Sequence, residues 1–150
     1  MKSISAIKIN DMIFLKGYSI STEGWRFSYG PYYVGIIEDG EEALGNLCLK
    51  TFNECKIDIL HPEDTRSLNS IRSIDPYANA AEKKLLETLK KKNRDYRISI
   101  DYDGNTYSFI PLKVLNKQAA TNTSKDKTLY SDGDPKNLGN TLLQAFELCE

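Results

Sequence analysis

The chain writes nearly the same helix twice. Residues 43–55 read ALGNLCLKTFNEC and residues 137–149 read NLGNTLLQAFELC. Placing residue n beside n + 94 aligns the copies without a gap. Leu44/Leu138, Gly45/Gly139, Asn46/Asn140, Leu49/Leu143, Phe52/Phe146 and Cys55/Cys149 are identical. A shared amphipathic pattern accounts for the Leu and Phe matches. It does not account for the glycine, which costs about 1 kcal/mol relative to alanine inside a helix. The same cost taken at the same phase predicts a close approach: without a side chain, the helix can sit tight against a strand or against its twin. Coincidence, or a helix start displaced by a turn, is the bland alternative.

The rest of the chain fits a doubled plan. AIKIND and MIFLKGYS read as strands separated by the turn pair Asn10-Asp11. In GWRFSYGP, Trp25, Phe27 and Tyr29 alternate with Arg26 and Ser28, and Gly30-Pro31 ends the run. YYVGII is more apolar, which predicts a central strand, and Gly35 within it points to a bulge or a close backbone approach. Asp39 with Glu42 suggests a capping box for the first LGN helix. KIDILHPEDT starts as a short strand that His61-Pro62 ends, and residues 68–76 read as loop. Asp75-Pro76 opens a helix over roughly 76–91. Tyr96, Ile98, Ile100 and Tyr102 alternate with polar residues, Asp103-Gly104 turns, and Tyr107 and Phe109 return: a β-hairpin. Residues 116–128 read as a mobile surface loop, TLY as a short strand, and Asp134-Pro135 as the start of the last helix. The expectation is one α+β domain over residues 1–150: an antiparallel sheet with about three helices, two of them the repeated LGN helix, an internal pseudo-duplication. Outside the helices the halves do not align by residue identity.

Composition and motifs narrow the function mainly by exclusion. The formal net charge is −1, so no global field selects a nucleic acid or a membrane surface. The N-terminus has neither the apolar core of a signal peptide nor the length of a membrane span. Three cysteines, Cys48, Cys55 and Cys149, form no CxxC pair and no zinc spacing. They read as buried free thiols, and their odd number points to a reducing, cytoplasmic setting. No P-loop, GxGxxG, HExxH or GxSxG is present. DYDGN at 101–105 resembles the opening of a calcium loop, but the glutamate that closes such a loop is missing, and a hairpin turn explains it better. Basic residues do not interleave with the aromatic ones as stacked nucleic-acid readers require. No cofactor or metal is expected. Local charge is uneven. Residues 38–42 hold Glu38, Asp39, Glu41 and Glu42, whose bland role is to favour a helix dipole. Residues 83–94 carry six bases and one acid, a solvated helix end or the patch of a structural adaptor.

In order, GYSISTEGWRFSYGPYYV, the acids, LGNLCLKTFNEC, ILHPED, the hairpin and DGDPKNLGNTLLQAFELCE resemble the CdiI-type immunity proteins of bacterial contact-dependent growth inhibition. The matching points are Thr22-Glu23-Gly24, Gly30-Pro31, Leu44-Gly45, His61-Pro62 and the helix from Leu138-Gly139 to Cys149. The segment 116–128 departs from the pattern, since similar proteins often have a glycine-rich stretch there. The resemblance implies a cytoplasmic, non-enzymatic protein that binds the toxic C-terminal domain of a cognate toxin one-to-one and blocks its active site. That toxin would be a nuclease, an RNase before others, and the inhibitor itself would contact neither nucleic acid nor membrane. Nucleases are commonly basic, so acidic groups opposite the cleft speed encounter and neutralise it. The resemblance carries over no binding residues. On physical grounds the candidates are Glu38, Asp39, Glu41, Glu42, Glu63 and Asp64, with Tyr32 and Tyr33 as anchors beside them. The rival reading is a small cytosolic enzyme or ligand-binding regulator using His61 with Glu63 or Asp64.

Overall fold

The two repeated helices lie against each other, and their glycines make the contact. In the computed structural model, which describes residues 1–20, 22, 24, 26–27, 31–55, 76–91, 94–116, 120–123 and 125–150, they are α1 (Glu41–Glu54) and α3 (Pro135–Glu147). A Cβ on Gly45 would stand 1.6 Å from the Pro135 carbonyl oxygen; one on Gly139 would stand 1.7 Å from that of Glu41. Glu41 and Pro135 are themselves 94 residues apart, so the two contacts are one contact seen from both sides. The helix meets its twin, and the propensity cost of each glycine is offset by the close packing it permits.

The duplication extends to the sheet. Its strands are β1 (Lys2–Ile9), β2 (Met12–Gly17), β5 (Tyr32–Ile36), β6 (Asp95–Tyr102), β7 (Tyr107–Val114), β8 (Ala120–Asn122) and β9 (Leu129–Ser131). The spatial order is β5-β2-β1-β6-β7, with β8 and β9 both pairing β7. A separate pair is formed by β3 (Ser19–Ile20) and β4 (Arg26–Phe27). In the first hairpin Ile4 faces Gly17, Ala6 faces Leu15 and Lys8 faces Ile13. Adding 94 to each gives Ile98 facing Pro111, Ile100 facing Phe109 and Tyr102 facing Tyr107, the register of the second hairpin. The turns agree as well: Asn10 (φ 55°) and Gly104 (φ 104°) occupy the same place, and only Gly, Asn or Asp enters that backbone region readily. The central strands β1 and β6 pair antiparallel with Ser5 opposite Ser99, again 94 apart. A pseudo-twofold axis therefore passes between these serines and through the glycine contact.

Both LGN helices cover one face of the sheet. The core there is built from twin positions: Leu44 and Leu138, Cys48 and Leu142, Phe52 and Phe146, Ile4 and Ile98, Leu15 and Phe109. Each such buried apolar side chain contributes about 1.5–3 kcal/mol. The helix ends are tied down alike. The Cys55 thiol donates to the Thr51 and Ser3 carbonyls, and the Cys149 thiol to those of Ala145 and Arg97, the positions 94 residues on. Burial pushes the Cys48 thiol up to about 12 and the Cys55 thiol up to about 11, and raises Cys149 too; the buried-thiol expectation holds for Cys48 and Cys55, whereas Cys149 is half-buried.

Among the described residues one helix has no twin. The helix α2 (Pro76–Lys90) covers the opposite face of the first half, where Leu85 packs with Ile7, Ile9 and Phe14. Three expectations need correction. Among the described residues the apolar strand β5 stands at the end of the strand order, not at its centre. It is apolar because helices cover both its faces: Tyr33 joins the α1 core, while Tyr32 and Val34 join Ala81 of α2. Gly35 does mark a close approach, since a Cβ there would meet Leu44 and Leu47 at 3.0 Å. Second, the cap of α1 is Gly40, with φ 94°, and not Asp39; Asp39 closes a short 3-10 helix (Ile37–Asp39) and its carboxylate accepts from the Ile36 amide. Third, the loop expected over 116–128 contains β8, whose residues pair with Leu112–Val114. Of GWRFSYGP, Arg26 and Phe27 form β4, while Trp25 and residues 28–30 lie outside the described residues. The helix over 76–91, the 95–114 hairpin, the strand at 129–131 and the Asp134-Pro135 helix start are as expected. The KIDIL strand, His61-Pro62 and most of the loop at 68–76 lie outside the described residues.

Candidate functional site

Because α1 and α3 meet at their first turns, two positive helix ends stand side by side. Such an arrangement favours negative charge nearby, by about 0.3–1 kcal/mol per exposed group. The sequence supplies it from both halves. The segment from Ile37 to Gly40 passes under the first hairpin turn, where the Ile37 amide donates to the Asp11 carbonyl at 2.9 Å. This leaves Glu38, Asp39 and Glu42 exposed, while Glu41, whose backbone lies beneath Gly139, is half-buried. On the other side Asp134 caps α3 by accepting from the Asn137 amide at 3.1 Å. Asp132 holds the turn before it, accepting from the Asp134 amide at 3.0 Å and from the Asn137 side-chain amide. The two acidic segments are joined directly: Asn140 Nδ2 donates to the Glu41 carboxylate at 3.3 Å. A cleft of about 410 Å³, lined by Tyr130, Ser131, Asp132, Asn137, Asn140 and Thr141, lies next to that bond.

The surface thus has six carboxylates, from Glu38, Asp39, Glu41, Glu42, Asp132 and Asp134, with Lys136 beside them. Two apolar side chains flank it at positions 94 apart: Ile36 is 41% exposed and Tyr130 is 68% exposed. The sequence singles out Asp134 only as a helix start, and Asp132 and Tyr130 not at all. The offset of 94 could have found them, because it carries Glu38 onto Asp132 and Ile36 onto Tyr130.

The other candidates fall elsewhere. Tyr32 and Tyr33 are each 6% exposed and point to opposite faces of β5. The Tyr33 hydroxyl donates to the Glu54 carboxylate, and Lys50 lies over its ring at 4.4 Å. Their rings are packed into the fold and support the edge strand. Glu63, Asp64 and His61 lie outside the described residues. At 101–105 the chain makes a hairpin turn: Asp103 accepts from the amides of Asn105 and Thr106, and those bonds hold its carboxyl below the ordinary range. Among the described residues no helix is long and apolar enough to cross a membrane, and no group of three metal-ligating side chains is assembled. Chemically, the acidic surface can attract and pair with cationic groups.

No protein-family model matches the sequence, and no curated protein does. Solved structures do match the fold. One is a protein of unknown function, NMB0488 from Neisseria meningitidis, with a TM-score of 0.73 at 15% sequence identity, over 99% of this chain and 95% of that one. Another is a chain of the CdiA-CT/CdiI toxin and immunity complex from Yersinia pseudotuberculosis, with a TM-score of 0.71 at 15% identity, over 99% of this chain and 97% of that one. Along essentially its whole length, the chain shares its fold with a chain of a toxin and immunity complex.

Proposed function

We propose that this protein is a toxin-neutralising immunity protein of the contact-dependent growth inhibition type. It binds the toxic C-terminal domain of a cognate toxin one-to-one and blocks that domain's active site without turning over a substrate. The observation that carries the reading is the full-length fold match to a chain of the CdiA-CT/CdiI complex, joined to the order of motifs that resembles CdiI proteins in sequence. The acidic double helix start is the docking surface in this reading. Its carboxylates answer the basic cleft of a nuclease, an RNase in the first instance, and Ile36 and Tyr130 supply apolar contact at either side. Glu63 and Asp64 remain further candidates for it, and Tyr32 and Tyr33 hold the strand that leads into the acidic segment. The protein would act in the cytoplasm, where such a toxin meets its target.

The test is a titration against the toxic C-terminal domain of the cognate toxin. Nuclease activity should fall linearly and reach baseline near equal molarity. His61→Ala should leave this inhibition unchanged. Full nuclease activity in the presence of excess protein would contradict the proposal, and loss of protection in His61→Ala would favour an enzyme using His61 with Glu63 or Asp64.

A further inference from the structure

The pseudo-twofold places a cleft at each edge of the sheet, and the two differ in chemistry. In the second half, residues 126–128 line a cleft of about 410 Å³ with Ile110, Pro111 and Asn122. Its charges are spoken for: the Asp126 carboxylate accepts from the Thr128 hydroxyl and amide, and Lys127 pairs with Glu150 at 3.8 Å. In the first half the residues 94 positions earlier, Tyr32, Tyr33 and Val34, line a cleft of about 370 Å³ whose other wall is Ala80 and Ala81 of α2. Here two cations face the cleft, Lys50 from α1 and Lys84 from α2. Among the described residues neither is ion-paired. The nearest acid on α1, Glu54, is engaged by the Tyr33 hydroxyl and does not line the cleft.

We propose that the cleft between β5, α1 and α2 binds a small amphipathic carboxylate, an aromatic or medium-chain monocarboxylic acid. Tyr32, Tyr33 and Val34 along β5 and Ala80 and Ala81 on α2 line the path of the body of the molecule, and Lys50 and Lys84 receive its carboxylate. The volume lies within the range of small-molecule sites. An anion is attracted to both ammonium groups, which an uncharged ligand is not. The twin cleft makes the contrast internal: it lacks the α2 wall, and its one lysine, Lys127, is paired with Glu150.

The probe is 3-phenylpropanoate titrated into the full chain and followed by amide chemical shifts. The expected result is saturable shifts at Val34, Lys50, Ala81 and Lys84 with a Kd below about 1 mM. The neutral analogue 3-phenylpropanamide should bind at least about tenfold more weakly, a difference of about 1.4 kcal/mol. K50Q/K84Q, which keeps most of each side-chain stem, should weaken the acid about tenfold and leave the amide unchanged. Absence of saturation at 10-fold higher ligand than that Kd limit (about 10 mM), equal binding of acid and amide, or shifts centred on residues 110–128 would overturn the proposal. If the double variant did not fold, the acid–amide comparison on the unaltered chain would still decide it.

Discussion

The first half of the sheet is covered on both faces, whereas among the described residues the second half carries a helix on only one. The twin positions record the difference. Ile7 and Phe14, buried beneath α2, correspond to Asp101 and Ser108, which are half-exposed. On the LGN side the same strands keep apolar residues in both halves: Ile4 with Ile98, Ala6 with Ile100, Leu15 with Phe109. A face that must meet a helix stays apolar, and a face that meets none is free to become polar. The duplicated frame therefore holds the pseudo-twofold contact constant, and α2 makes the halves unequal.

The most disruptive way to break the symmetry is at the helix crossing. Gly45→Ala and Gly139→Ala should each destabilise by more than about 3 kcal/mol, because a Cβ would overlap a backbone carbonyl and the helices would have to separate. The double variant should cost much less than the sum, since either substitution alone opens the shared contact. Denaturant unfolding measures both. Helix propensity alone predicts the opposite, a gain of about 1 kcal/mol for each alanine.

Next in size is the face that distinguishes the halves. Phe14→Ala should cost about 3 kcal/mol, as a buried aromatic side chain beneath α2. Ser108→Ala, at the twin position, should change stability by less than about 0.5 kcal/mol. Equal effects in the same unfolding experiment would show that the second half is covered as fully as the first.

The cysteines sharpen the comparison chemically. At pH 8 Cys48 and Cys55 should react with iodoacetamide at least about 100-fold more slowly than in the unfolded chain. Cys149, the half-buried twin of Cys55, should react faster than Cys55. The fold favours the neutral thiol, so its folded pKa lies above the unfolded one. That stability is fully present below the unfolded value and is lost as pH rises toward about 11 for Cys55. Alkaline unfolding monitored by circular dichroism should begin in that window. The smallest effect is expected at the exposed acids: Glu38→Lys and Asp132→Lys should each slow association with the toxic domain by roughly 3–10-fold at low salt, leaving dissociation nearly unchanged.

Much of this architecture was legible in the chain. The period-two strands, the Asp103-Gly104 turn and the Asp134-Pro135 start declare themselves locally. The Gly-Asn pair announced the twin contact because no amphipathic pattern requires it. The duplicated hairpins stayed hidden, since Ala6 and Ile100, or Gly17 and Pro111, share a place in the register and not an identity. The edge position of β5 was hidden too: an apolar run reports burial on both faces and is silent about which strand lies beside it. The acidic surface was half legible. Glu38 to Glu42 are contiguous, but Asp132 and Asp134 join them only because two helix starts separated by 94 residues fold together.

The account holds that a toxin is covered by the surface where those two helix starts meet. Hydrogen exchange of the chain, free and bound to the toxic domain of the proposed cognate toxin, tests this directly. Amides of residues 36–43 and of residues 130–137 should both gain protection in the complex. Protection confined to α2 and the outer edge of β5, with both acidic segments exchanging as in the free chain, would contradict it.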